Sequence, residues 1–115
     1  MTLFSRFVCV CIFLIPSLLE AQVRITEIMY DLAEGSDSGR EWIEIFNAGS
    51  ASVNVTDVKV VENAKNHAIT AVAGGDGVAS GSYAVIADNA VKFKGDYPSY
   101  AGQLFDSAFS LNNTG

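Results

Sequence analysis

The chain is short of the residues from which reactive and metal centres are usually built. It has two cysteines, Cys9 and Cys11, and both fall near its start. Beyond them no disulfide can form, so the fold has to rest on its apolar core. It has one histidine, His67. A transition-metal site or a catalytic triad would need partners for it, and a surface or strand-end role is expected instead. Basic residues are scarce, with 7 Lys and Arg against 13 Asp and Glu and a net charge of −6. Neutralising phosphates takes clustered cations, so no nucleic-acid partner is expected, nor attraction to an anionic membrane. The charge suits solubility and divalent cations.

Long apolar runs are also absent. The longest covers residues 7–15, after Arg6 and before Pro16, and a small residue, Ala21, follows shortly after it. That is shorter than the roughly 20 residues a spanning helix needs. A basic start, a short apolar centre and a small residue at the end fit a cleaved export leader over residues 1–21. The domain is then 22–115, without a membrane span after cleavage. Its expected location is secreted, periplasmic or at the cell surface. Both cysteines depart with the leader.

What remains is patterned for strands. In Glu41-Trp42-Ile43-Glu44-Ile45-Phe46-Asn47, Ile43 and Ile45 share one side, while Trp42, Glu44 and Phe46 share the other. Asn47-Ala48-Gly49-Ser50 supplies turn chemistry that ends the run. A second run, residues 23–30, precedes it across the polar loop 33–40. Further runs are expected near 55–62, 67–72, 82–87 and 103–111, with a Gly-rich loop at 74–77 and a tight turn at Ser80-Gly81. Asp88-Asn89 is placed to cap one helical turn over residues 90–93. Short strands with turn signals and no long helical period predict an all-β sandwich or barrel. The chain stops at Asn112-Asn113-Thr114-Gly115, which reads as a turn into another strand. The last strand or strands are therefore expected to be missing, with self-association through an exposed strand edge.

In order, these pieces resemble the lamin-tail domain. They are Val23-Arg24-Ile25-Thr26-Glu27-Ile28-Met29-Tyr30, Gly39-Arg40 with Glu41–Asn47, the strand 53–60, Gly81–Asp88, and Phe109-Ser110-Leu111-Asn112-Asn113-Thr114-Gly115. The opening run together with a leader is most similar to the bacterial secreted branch. The resemblance implies an immunoglobulin-like β-sandwich with no catalytic residues to carry over. It implies a non-catalytic module for adhesion or for protein and ligand interaction at the cell surface. The alternative is an N-terminal accessory domain of a larger secreted hydrolase or nuclease. Fold alone does not choose between them.

Candidate sites are few, and no cofactor is implied. Asp31, Glu34 and Asp37 are weak calcium candidates, because acidic loops can supply oxygens, but they lack EF-hand spacing and read first as a solvated loop. Glu27 and Glu44 are the acid–base pair to consider, although nothing in the sequence brings them together. Ser80 and Ser82 read as turn residues without a nucleophile elbow. The glycines of 74–77 lack the lysine and helix of a phosphate loop. Tyr97 and Tyr100 flank Pro98-Ser99 and are read as an exposed loop pair, the best binding candidates among aromatics that otherwise pack cores. Asn54-Val55-Thr56 and Asn112-Asn113-Thr114 match glycosylation acceptors, which matter only in a eukaryotic secretory pathway.

Overall fold

Alternating apolar side chains give the first two runs a face to bury, and the chain pairs them directly. The computed structural model describes residues 22–112. The expected leader and the final Asn113-Thr114-Gly115 lie outside the described residues. In chain order the elements are β1 (Val23–Met29), β2 (Trp42–Asn47), β3 (Val53–Asn54), β4 (Lys59–Glu62), β5 (Lys65–Ala68), β6 (Thr70–Ala73), β7 (Gly77–Val78), β8 (Tyr83–Ala87), α1 (Ala90–Asp96) and β9 (Gln103–Asp106).

Five strands form the main sheet in the order β1-β2-β8-β9-β6. Every neighbour is antiparallel except β8 and β9, which run parallel with Val85 beside Leu104 and Ile86 beside Phe105. Parallel neighbours need a crossover, and α1 provides it. The second layer consists of two small ladders, β3 with β7 and β4 with β5. Between the layers Ile43, Ile45, Val55, Ile69, Val78, Ile86, Phe105 and Phe109 make one core. This is the all-β sandwich, and it buries Ile43 and Ile45 as their alternation requires.

The opposite face of the main sheet is covered too. Trp42, Val85, Ala87 and Leu104 pack against Ala90 and Phe93 of α1 in a second core. Ala90 and Phe93 are one helical turn apart and so face the same way. Asn89 caps the helix by accepting from the Lys92 N–H at 3.0 Å, and Asp106 of β9 accepts from the Ala90 N–H at 2.7 Å. The helix is therefore longer than the single turn expected from sequence, because sheet and cap stabilise it together.

Three expected strands come out differently. The run 55–62 opens as a short 3₁₀ turn over Val55–Asp57, with Val55 fully buried, and becomes β4 only at Lys59. Asn54 accepts from the Thr56 N–H and begins that turn. The run 67–72 is split between β5 and β6, which belong to different sheets. The run 103–111 is strand only to Asp106. Beyond it, Phe109 and Leu111 still pack on the first core without a ladder.

A β-bulge decides how β1 presents its side chains. The register shifts between Ile25 and Glu27, leaving Thr26 as the extra residue. Ile25 lies beside Ile45 and Ile28 beside Ile43, so both isoleucines stay on the first-core side despite their odd spacing. Glu27 lies beside Glu44 and Met29 beside Trp42, on the helix-covered side. The Thr26 hydroxyl donates to Glu44 Oε1 at 2.9 Å and helps to hold the bulge.

Candidate functional site

Where α1 hands over to β9, the second core opens into a groove. Its floor is Met29 of β1, Trp42 and Glu44 of β2, and Val85 of β8, with Glu27 at the β1 edge. Its wall is Phe93, Tyr97, Ser99 and Tyr100. The groove holds about 500 Å³, within the range of small-ligand sites.

Tyr97 and Tyr100 thus differ from the expected exposed pair. Tyr97 is the C-cap of α1, and both rings are half-buried against the second core. The Tyr97 ring lies 4.9 Å from Phe93 and meets Trp42 edge-on at 5.8 Å. The Tyr100 ring meets Phe93 edge-on at 5.2 Å, and its hydroxyl donates to the Gln103 carbonyl at 2.8 Å. Gly102 makes this seat possible, since a Cβ there would stand 2.6 Å from the Tyr100 hydroxyl oxygen. Burial, with the nearby Glu44 charge second, raises the Tyr100 pKa. A short helix terminates in aromatics here, and the sheet below offers Trp42 to pack them on. That packing turns a loop pair into a wall.

Glu27 and Glu44, which sequence could not bring together, are direct cross-strand neighbours at the groove. Like charges placed opposite one another are destabilising. The indole N–H of Trp42 adds a second unmet demand. Trp42 is 9% exposed, and its Nε1 is buried with no acceptor among the described residues. Two carboxylates and aromatic walls give the groove its chemistry. In the sequence Trp42 reads as one of the aromatics that pack cores, and it does so, but one aromatic in an alternating strand carries no sign of what covers its face.

The other sequence candidates lie elsewhere. Asp31 and Glu34 are exposed on the β1–β2 loop, while Asp37 lines a separate recess with Glu41 and Asp88. Among the described residues no group of three or more His, Cys, Asp and Glu side chains is arranged to hold a metal ion. His67 Nε2 pairs with Glu62 Oε2 at 3.1 Å across the β4–β5 hairpin, which is a local structural contact. The carbonyls of Gly74, Gly75 and Gly77 all accept from the Gln103 side-chain amide, which fastens that loop to β9. The Ser80 hydroxyl donates to the Gly49 carbonyl at 2.5 Å and so joins two turns.

The recess holds one buried acid, Glu41, and one half-buried acid, Asp88. Glu41 is 6% exposed and accepts from the Leu111 N–H at 2.6 Å, tying the end of the described chain to the residue just before β2. Burial raises its pKa. Asp88 is pushed up to about 6, by burial first and by the Glu41 charge second, and its Oδ1 is buried without a partner among the described residues. A folded pKa of about 6 against an ordinary 3.8 means that the folded chain binds a proton before the unfolded chain does. Stability is therefore gained as pH falls through 6, the gain is complete below the ordinary value, and it is lost again as pH rises. Asp88→Asn is expected to stabilise the fold above pH 6 by about 1 kcal/mol after allowance for solvent screening. The two proteins should converge below about pH 4. Urea melts across that window check this, and a gap that widens in acid would refute it.

Residues 18–115 match the Lamin Tail Domain family. The chain belongs to that family. Lamin tail domains are immunoglobulin-like, non-catalytic interaction modules. No curated protein and no solved structure matches the chain. Among the described residues of this lamin tail domain no helix is long and apolar enough to cross a membrane.

Proposed function

We propose that this lamin tail domain is an exported, non-catalytic module that binds a protein or surface ligand outside the cell. The observation that carries the reading is the groove itself. Its aromatic wall is fixed by α1 and its floor by the main sheet, so it is a preformed surface on rigid elements. The leader-like pattern of residues 1–21 supports export. The bacterial secreted branch is the best fit to that combination.

The reading is tested by expressing the full chain in a bacterial host and following its export and binding. The expected product has its N-terminus near residue 22. It adheres saturably to washed cell envelopes, and Trp42→Phe weakens that adherence. Retention in the cytoplasm, or adherence that does not saturate, would sink the proposal.

A specific feature favours a second mode of association. β1 is an edge of the main sheet among the described residues, and Ile25 and Ile28 on it are 60% and 50% exposed. An open edge with apolar neighbours supports pairing of two copies through β1. Sedimentation at increasing concentration reads that directly. The accessory-domain alternative would keep the same groove and place catalysis in another part of a longer chain.

A further inference from the structure

The groove beside α1 has a charge and aromatic pattern that selects among ligands. Its lining carries two carboxylates, Glu27 and Glu44, and no Lys, Arg or His. The carboxylates sit opposite each other on neighbouring strands, on the same face as Trp42. Four aromatic rings, those of Trp42, Phe93, Tyr97 and Tyr100, surround the same space. Aromatic faces attract cations, and the attraction grows as water is excluded. A cation between the glutamates converts their mutual repulsion into two charge-assisted hydrogen bonds.

The apolar wall narrows the choice. A bare cation would leave the aromatic rings unused. An uncharged saccharide leaves Glu27 and Glu44 opposed. A basic side chain of a protein uses both, with its charged end at the glutamates and its aliphatic stem along the rings.

We infer that the groove between β1, β2 and the end of α1 binds a lysine or arginine side chain of a protein partner, held by Glu27 and Glu44 against an aromatic wall. The inference rests on the reading of the chain as a binding module and names the chemistry of its partner.

Trp42 is the sole tryptophan of the chain, so its fluorescence and its indole N–H resonance both report from the groove. The probe is a blocked six-residue peptide with one lysine among neutral residues. The comparison probes are the same peptide with norleucine, and cellotriose. The lysine peptide is expected to change the fluorescence saturably and to shift the indole N–H resonance, while norleucine leaves both unsaturated. Raising the salt to about 0.5 M is expected to weaken binding several-fold. Glu27→Gln with Glu44→Gln is expected to weaken it by about tenfold or more. That double variant removes an opposed pair of like charges, so an unchanged or raised melting temperature is expected to accompany the loss. Should it fail to fold, Glu27→Gln alone, at an exposed position, provides the same comparison with a smaller loss.

Equal responses to lysine and norleucine would overturn the inference. So would saturation by cellotriose alone, or full affinity in the glutamine variants. If envelope adherence persists in the double variant while the lysine peptide fails to bind, the cation chemistry is wrong and the binding-module reading stands. If both fail in the wild-type chain, the module reading itself falls.

Discussion

Phe105→Ala is expected to destabilise the domain by about 3–5 kcal/mol, the largest effect of any single truncation here. Phe105 is fully buried in β9, beside Ile86 of β8 and Ala71 of β6. It also belongs to the core between the two layers, so its ring is enclosed by both sheets. Removing it forfeits the transfer free energy of the ring and leaves a cavity that three paired strands cannot collapse to fill. Domains of this size have total stabilities of about 5–15 kcal/mol, so most of the reserve would go. Urea melts followed by far-ultraviolet circular dichroism provide the measurement. Val91→Ala is the control: Val91 is 82% exposed on α1 and should change stability by less than about 0.5 kcal/mol. A Phe105→Ala loss as small as the control's would mean that the strand order around β9 is wrong.

Asn47→Ala is expected to cost about 2–4 kcal/mol, although it removes no apolar surface. Asn47 is fully buried at the end of β2. Its side-chain amide donates to the Ala51 and Val78 carbonyls, each at 2.8 Å, and its side-chain oxygen accepts from the Gly49 N–H at 3.0 Å. Its backbone carbonyl also accepts from the Gly81 N–H. One side chain thus joins the main sheet to the β3–β7 ladder and closes the turn that follows β2. Alanine would remove the side-chain partners of the Ala51 carbonyl and the Gly49 N–H and leave the buried Val78 carbonyl with only the longer bond from the Ser52 hydroxyl, and a buried group left short costs about 1–3 kcal/mol. Asn47→Asp should be at least as harmful at neutral pH, because it keeps the acceptor and directs a buried charge at two carbonyls. Denaturant melts compare the two substitutions, and near-wild-type stability in both would refute the role.

Asn47 also shows how far a sequence can be read. Its position in Asn-Ala-Gly-Ser marks it as a turn residue, and the chain does turn there. That Asn47 also reaches Val78, 31 positions away, is a long-range fact that no local pattern carries. Glu27 and Glu44 are similar: the strands were legible, but their register was not, because the bulge at Thr26 resets it. Asn89 was legible as a cap, and the helix it starts was underestimated because the sheet supplies most of that helix's stability. Tyr97 and Tyr100 were visible as a pair, but their half-buried setting depends on Trp42 and Phe93 beneath them.

By itself the sequence determined that this is an all-β sandwich of the lamin tail family. Period-two alternation and turn residues are local and survive in one dimension. It also determined that Ile43 and Ile45 face the core between the layers. Only the tertiary structure decided that the opposite face is covered by a helix, that β8 and β9 run parallel, and that two glutamates and four aromatic rings share one groove. Alternation shows that a strand has two faces, but what lies over each face depends on contacts between distant segments.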